Sequence, residues 1–220
     1  MKPPVKSPSK NRLGATPRSI NQLRIIGGQW RGRKLSFPDL DGLRPTGDRI
    51  RETLFNWLAP IMVESRCLDL FAGSGALGLE ALSRGAATSV LVERDTLAAA
   101  QLRANLALLQ ANQSQLVQAD VLTWLARGNS GAPFNIVFID PPFQLNLWQP
   151  VIDALEAGNW LADDAAIYIE SGRATPFSVP PHWRLHRDKQ AGQVSYRLFY
   201  RLANGRSYQE SANPHDALPD

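Results

Sequence analysis

The sequence predicts an α/β protein built on a mostly parallel, twisted sheet with helices on both faces. From residue 67 onward, short and mostly apolar runs alternate with helical stretches, as is typical of a sheet covered on both sides. The last two runs have no helix between them, which indicates an antiparallel hairpin at the end of the sheet. A glycine-rich turn directly after the first run indicates a ligand site at the carboxyl ends of the strands.

Length and composition fit one substantial globular domain with additional segments. The chain has 220 residues, of which 44% are hydrophobic and 20% charged. No apolar run approaches the roughly 20 residues of a membrane helix, and no apolar stretch follows the first lysines, so we expect a cytoplasmic protein without a membrane partner. Cys67 is the single cysteine, and the three histidines show no metal-ligand spacing, so we expect neither a disulfide framework nor a metal site.

Positive charge is concentrated at the N-terminal end of the chain. Residues 1–51 contain 12 Lys or Arg against 3 Asp or Glu, whereas the remainder contains 12 against 17. This pattern is typical of a catalytic domain that carries an arm for binding a polyanion. The alternative is a tail that only improves solubility.

Four segments follow from composition and periodicity. Residues 1–22 are polar and basic and are predicted to be a disordered tail. Residues 23–45 have apolar ends around a glycine-rich turn, which predicts a small basic hairpin in which Trp30 either stacks on a base or packs on the body. Residues 46–202 form the main domain, and residues 203–220 are expected to be a flexible tail.

The main domain is predicted to open with a helix and to continue as alternating strands and helices. Thr46 or Asp48 is the expected N-cap of the first helix, and Pro60 is expected to end it. The predicted strands cover residues 67–71, 89–93, 115–118, 136–139, 166–170, 182–187 and 195–201. The further helices are predicted at residues 76–83, 96–109, 121–125 and 149–157.

The turn after the first apolar strand matches G-x-G-x-x-G with Gly73, Gly75 and Gly78. Glu93 ends the next strand 18 residues after Gly75, close to the roughly 20-residue spacing at which an acidic side chain meets ribose hydroxyls. The two features together predict a Rossmann-like fold and a nucleoside cofactor. Asp120 ends the third strand, where it can either accept from an adenine amine or cap the following helix.

Asp69 distinguishes between nucleoside cofactors. A carboxylate beside the glycine turn repels a pyrophosphate but attracts the ammonium of a methionyl group, so S-adenosyl-L-methionine fits better than NAD. The alternative is that loop amides satisfy this carboxylate.

The segment Asp140-Pro141-Pro142-Phe143 follows the apolar strand at residues 136–139. Two prolines stiffen the turn and are expected to leave backbone carbonyls free to face the crevice. A carboxylate and a carbonyl can accept both protons of an exocyclic amine while Phe143 stacks on the ring, so this segment predicts a pocket for an extruded nucleobase.

With these motifs the chain resembles the class I S-adenosylmethionine-dependent methyltransferases that act on exocyclic amines. The chain is also similar, over residues 23–201, to the bacterial small-subunit rRNA guanine-N2 methyltransferase D family. The segments that carry this similarity are residues 24–35, 44–46 and 48–52. The resemblance implies methylation of the N2 amine of one guanine in 16S rRNA, guanine 966, within a small ribosomal subunit or its assembly intermediate. It also implies that the protein acts as a monomer.

The resemblance assigns roles to two groups of residues. The base-holding and catalytic group is Asp140, Pro141, Pro142 and Phe143. The cofactor group is Asp69, Phe71, Gly73, Ser74, Gly75, Glu93, Arg94, Asp120 and Val121. From charge and position in the chain, the expected RNA contacts are Arg24, Trp30, Arg31, Arg33, Lys34, Arg44, Thr46, Arg49 and Arg51. For the last four the alternatives are that they close over the cofactor or form a solvated helix face. Tyr168, Glu170 and residues 189–193 are expected to border the base pocket.

Three other functions compete with this interpretation. A DNA adenine-N6 methyltransferase shares the four-residue turn but usually needs a separate domain that reads DNA sequence. A non-catalytic RNA-binding or ribosome-assembly protein would not require intact Gly73, Gly75, Glu93 and Asp140. An NAD-dependent oxidoreductase would leave residues 140–143 unexplained.

Overall fold

The computed structural model describes residues 20–40 and 46–202. The predicted tails at residues 1–19 and 203–220, and Arg44, lie outside the described residues. The strands are β1 (Ile20–Arg24), β2 (Lys34–Pro38), β3 (Arg66–Asp69), β4 (Thr88–Glu93), β5 (Ser114–Gln118), β6 (Phe134–Ile139), β7 (Leu161–Gly172), β8 (Trp183–Ala191) and β9 (Val194–Arg201). The helices are α1 (Asp48–Met62), α2 (Gly78–Ser83), α3 (Thr96–Leu109), α4 (Val121–Leu125) and α5 (Trp148–Ala157).

Seven strands form one sheet in the order β5-β4-β3-β6-β7-β9-β8, and β1 and β2 form a separate antiparallel hairpin. Strands β3 to β7 are parallel, whereas β9 runs antiparallel between β7 and β8. The predicted fold class is therefore confirmed. The strand order reverses at β3, which lies between β4 and β6, and a crevice opens at the carboxyl ends of the strands at such a point.

Both faces of the sheet are covered, which explains why β6 is apolar at almost every position. Ile136 and Phe138 pack with α1 on one face, and Val137 and Ile139 pack with α4 and α5 on the other. Successive side chains of a strand point to opposite faces, so a strand buried on both sides needs apolar residues throughout. No helix in the described part of the chain is long and apolar enough to cross a membrane.

Both predicted ends of α1 are wrong. Its N-cap is Gly47, which makes no side-chain capping bond, and Asp48 is the first helical residue. Pro60 lies inside the helix, which continues to the buried Met62. Pro60 deprives only the Asn56 carbonyl of its helical donor, and both residues lie on the exposed side, where water can replace the lost bond.

The N-terminal hairpin begins at Ile20, so the prediction of disorder is wrong for residues 20–22, which pair with β2. The buried Ile25 and Leu35 belong to a cluster that includes Leu102 of α3. The Asn105 side chain of α3 also donates to the Ser36 carbonyl at 2.8 Å. Pairing with β2 and packing on α3 order this segment. Both interactions involve residues distant in the chain, so the local composition could not predict them.

The turn of the hairpin is docked on the end of α2. The Gln29 amide donates to the Ser83 carbonyl at 2.7 Å, and the Ser83 hydroxyl donates to the Gly27 carbonyl at 2.6 Å. Gly28, at φ +74°, lies so close that a Cβ there would collide with the Ser83 carbonyl. Trp30 is half-buried and packs against the same cluster, as the packing alternative predicts.

Arg51 and Glu80 form an ion pair between fully buried side chains, with 3.4 Å between Nη1 and Oε2. Arg51 also donates to the carbonyls of Thr46 and Arg24 at 3.1 and 2.9 Å. Glu80 accepts from the Ile26 amide at 2.9 Å. Arg51 is therefore unavailable to RNA, and the RNA contact predicted for it is wrong because its charge joins three elements inside the protein.

We expect Arg51→Met to lower the free energy of unfolding by about 3–5 kcal/mol, because it removes one of the two cations that pair with the buried Glu80 and leaves the carbonyls of Thr46 and Arg24 without this donor. Arg84 keeps its own bond to Glu80 at 2.7 Å. The measurement is urea unfolding followed by tryptophan fluorescence. Arg49→Met, at an exposed position of the same helix, is the control and should change stability by no more than about 0.5 kcal/mol. Similar small effects of both substitutions would contradict a structural role for the ion pair.

Candidate active site

The carboxyl ends of the central strands open into one cavity of about 860 Å³. Among the predicted cofactor residues, those that line it are Asp69, Phe71, Gly73, Ser74, Glu93, Arg94, Asp120 and Val121. The predicted base-holding residues that line it are Asp140, Pro141, Pro142 and Phe143. The fold therefore brings two motifs that lie about 70 residues apart in the chain onto a single cavity.

The Glu93 carboxylate holds the glycine-containing loop in place through hydrogen bonds to backbone amides. Its Oε2 accepts from the Gly73 amide at 2.8 Å, and its Oε1 accepts from the Asp95 amide at 2.6 Å. The glycine loop after β3 and the loop after β4 are thereby held side by side at the rim of the cavity.

The three glycines of the motif have different tasks. Gly73 lines the cavity at φ +51°, whereas Gly78 allows close helix–strand packing, because a Cβ there would be 2.7 Å from the Leu91 side chain. Gly75 does not line the cavity. A Cβ at Gly75 would be 2.7 Å from both Leu79 and Leu102, so the cofactor contact predicted for Gly75 is replaced by a packing role between α2 and α3.

Asp69 is 3% exposed and accepts from the Gly78 amide at 2.9 Å. Burial raises the pKa of its carboxyl to about 7, and the charge of Glu93 adds to this effect. The sequence indicates two possible roles for Asp69, and this bond agrees with the second, in which backbone amides near the glycine turn satisfy the carboxylate. Asp69 nevertheless lines the cavity, so this bond leaves a role toward a ligand open to it.

Asp120 is the N-cap of α4, as one of its two predicted roles requires. Its carboxylate accepts from the Thr123 amide at 3.0 Å and from the Thr123 hydroxyl at 3.1 Å. The hydrogen bond from the Thr123 backbone is the main cause that lowers the pKa of Asp120. The contact with an adenine amine stays a prediction.

Thr46 and the two prolines differ from the sequence-based expectations. Thr46 is buried and lines the cavity, and its hydroxyl donates to Asp140 Oδ2 at 3.2 Å, so it does not cap α1. Its contact with RNA stays a prediction. The Pro142 carbonyl accepts from the Leu145 amide at 3.0 Å in a 3₁₀ turn, and the expectation that it is free is wrong. Phe143 is 37% exposed, with its ring 5.7 Å from that of Trp148.

Glu170 is a second carboxylate in the base-holding part of the cavity. It is buried, lines the cavity and accepts from the Tyr168 hydroxyl at 2.9 Å. Burial raises the pKa of Asp140 well above its usual value, and the charge of Glu170 raises it further. Burial also raises the pKa of Glu170, against the opposing effect of the Tyr168 hydrogen bond. The sequence signalled Glu170 only through its position near a strand end.

The described residues that line the cavity carry an excess of negative charge. Six of them are acidic, namely Asp69, Glu93, Asp95, Asp120, Asp140 and Glu170, and one is basic, Arg94. In a partly buried site such an excess favours a ligand with positive charge and disfavours one with phosphate groups.

The basic residues predicted to contact RNA lie outside the cavity, on the hairpin and α1. The exposed ones are Arg24, Arg31, Arg33, Lys34 and Arg49. Arg24 also pairs with Asp48 at 2.9 Å. The structure therefore separates a basic surface from an acidic cavity.

Comparisons with known proteins agree with this arrangement. The family model described as Conserved hypothetical protein 95 matches residues 23–200. Ribosomal RNA small subunit methyltransferase D of Escherichia coli strain K12 is 57% identical over 187 residues, which cover 84% of this chain and 93% of that protein. The Haemophilus influenzae protein of the same name is 46% identical over 186 residues, which cover 84% of this chain and 96% of that protein. The structure of a putative methyltransferase from Escherichia coli matches with a TM-score of 0.77 and 54% identity, over 83% of this chain and 99% of that chain.

The packing role of Gly75 can be measured by comparison with Gly32, which serves as the control position. Both have similar positive φ angles, +82° and +84°, so alanine at either position incurs a backbone cost of about 1–2 kcal/mol. Only at Gly75 would the new Cβ meet Leu79 and Leu102, whereas at Gly32 it meets no described atom within 4 Å. We expect Gly75→Ala to lower the free energy of unfolding by about 1–3 kcal/mol more than Gly32→Ala does. Equal losses in urea unfolding would show that Gly75 is not a packing position.

Proposed function

The chain belongs to the ribosomal RNA small subunit methyltransferase D family, and from that premise we propose that it methylates the exocyclic N2 amine of a guanine in 16S rRNA with S-adenosyl-L-methionine as donor. Methylation of ribosomal RNA is the activity that the names of its relatives carry. The finer parts of the proposal are the cofactor, the N2 atom and the nucleotide, which is guanine 966 by resemblance. We further propose that a monomer acts on a small subunit or its assembly intermediate.

The observation that carries the proposal is the single cavity shared by the glycine loop and the Asp140-Pro141-Pro142-Phe143 turn. Methyl transfer needs a donor and an acceptor atom in line and shielded from water. One cavity with a nucleoside-binding end and an amine-binding end provides that geometry.

The acidic lining supports the proposed cofactor. S-adenosylmethionine carries a sulfonium and an ammonium group, whereas NAD carries a pyrophosphate that carboxylates repel. In this proposal Glu93 accepts from the ribose hydroxyls, Asp120 accepts from the adenine amine, and Asp69 faces the ammonium group.

The cofactor supplies an electrophilic methyl group, so the protein needs no covalent intermediate of its own. Asp140 and the Pro141 carbonyl accept the two protons of the target amine and aim its lone pair, while Phe143 stacks on the base. Positive charge develops on the nitrogen as its bond to the methyl carbon forms and the carbon–sulfur bond breaks, and the Asp140 carboxylate stabilises that charge. Because burial raises the pKa of Asp140, it is also a suitable acceptor for the proton that the methylated nitrogen releases.

The basic surface suits capture of the RNA backbone. The hairpin is anchored to α2 and α3, so its arginines hold a fixed position relative to the cavity. We therefore propose that residues 23–45 form an RNA-binding extension and that residues 46–202 form the methyltransferase domain.

The proposed reaction predicts that cells lacking this protein lose one N2-methylguanosine from their small-subunit rRNA. Expression of the wild-type chain should restore it, whereas Asp140→Ala should not. In vitro, Asp140→Ala should reduce turnover by about 100-fold or more and leave cofactor affinity within about twofold, because only the contact with the reacting amine is lost. Mass spectrometry of rRNA nucleosides and calorimetry with the cofactor make the two measurements. Loss of an N6-methyladenosine, or no change in the nucleosides, would favour one of the competing functions.

Removal of hairpin charges should weaken RNA binding without an effect on the cofactor. If Arg31 and Arg33 each contact a phosphate, their joint replacement by alanine should flatten the plot of log affinity against log salt by about 1.4–1.8. The control replaces the exposed Arg103 and Arg127, which removes the same charge from α3 and from the loop after α4. Equal changes of slope in the two variants would place the RNA surface elsewhere.

A further inference from the structure

Glu170 lies near the carboxyl end of β7 and lines the base-holding part of the cavity together with Asp140. Its backbone carbonyl accepts from the Trp148 indole at 2.8 Å, and its carboxylate accepts from the Tyr168 hydroxyl at 2.9 Å. The side chain is 6% exposed. The buried tryptophan fixes the backbone at this residue and the buried tyrosine holds its carboxylate, so the carboxylate is preorganised for a specific contact.

The bonds made to Glu170 favour its acceptor form. Burial raises the pKa of Glu170, and the hydrogen bonds from the Tyr168 hydroxyl and from Thr46 act against this shift because they stabilise the ionised carboxylate. The charge of Glu170 in turn raises the pKa of Asp140. An ionised carboxylate has about four lone-pair positions and no proton to donate, so acceptor positions remain beyond these two bonds.

We propose that Glu170 determines the choice of base, by accepting the N1 hydrogen of the guanine whose N2 amine Asp140 holds. This inference rests on the proposed function. The Watson–Crick edge of guanine presents an N1–H donor directly beside its amine, and a pair of adjacent carboxylates is complementary to two adjacent donors. Adenine presents an acceptor at N1, which would face the Glu170 carboxylate without a hydrogen and leave both groups unpaired.

The expected discrimination is large, because a buried polar group that loses its partner penalises the wrong substrate. Sites built to bond a substrate O–H or N–H commonly reject analogues that lack it by several orders of magnitude. Asp140 alone cannot provide this selectivity, since adenine and guanine both offer an exocyclic amine.

The test uses small subunits reconstituted with rRNA that carries either guanine or 2-aminopurine at the target position. 2-Aminopurine keeps the amine at C2 but has an acceptor instead of a hydrogen at N1. The wild-type protein should show a kcat/KM about 100-fold or more lower on 2-aminopurine. Glu170→Gln places an amide at residue 170 that can donate to N1, so it should lose activity on guanine and gain on 2-aminopurine, and the ratio should shrink by at least tenfold. Glu52→Gln, at an exposed position of α1, is the matched control and should keep the wild-type ratio.

A ratio that Glu170→Gln leaves unchanged would overturn the inference, whether activity is retained on both bases or lost equally on both. Tyr168→Phe provides a second variant, which keeps the carboxylate and should keep the preference for guanine even if its turnover falls. A wild-type protein that binds the cofactor but methylates neither kind of reconstituted subunit would overturn the proposed function, and this result is distinct because it appears without any substitution. Unchanged cofactor affinity and unfolding midpoint show that each variant is folded.

Discussion

The buried ion pair between Arg51 and Glu80 is the interaction on which the arrangement of the site depends. Two charges can remain inside a protein only if their hydrogen-bonding groups are nearly all occupied, and here the occupants come from several elements. Glu80 of α2 accepts from the Ile26 amide of the hairpin, and Arg51 of α1 donates to the carbonyl of Arg24 in β1. Hairpin, α1 and α2 therefore have one relative position in which both charges are satisfied.

Thr46 connects the same ion pair to the cavity. Arg51 bonds the Thr46 carbonyl, and the Thr46 hydroxyl bonds Asp140 at the end of β6. The basic hairpin and the carboxylate that is proposed to hold the target amine are thus connected by a short series of hydrogen bonds. An RNA bound at the hairpin would meet a cavity whose position relative to its phosphate contacts is fixed, as alignment of a reacting amine requires.

The cavity concentrates carboxylates at the point where the parallel strands end. Burial raises the pKa of Asp69, Asp140 and Glu170, so the empty site is electrostatically unfavourable when these groups are ionised. The proposed cationic cofactor, and a base that presents adjacent donors, would relieve this cost. Such a site lowers the stability of the free protein, but it binds ligands of complementary charge and hydrogen-bond pattern selectively.

The sequence by itself determined the features that depend on neighbours along the chain. The nearly continuous apolar sequence of β6 predicted a sheet covered on both faces, and spacing along the chain placed Glu93 and Asp140 at strand ends, where the structure has them lining one cavity. Only the tertiary structure decided the roles of Arg51 and Gly75. Arg51 looks like a surface residue because only one of its ionic partners, Asp48, is close in the chain, whereas Glu80 lies 29 positions away and the Arg24 carbonyl belongs to the hairpin. Gly75 matches a ligand-binding motif, but the direction of its missing side chain depends on how α2 packs against α3. Charge pairing and close packing are properties of distance in space, and a linear pattern contains that information only for residues within a turn or a strand of each other.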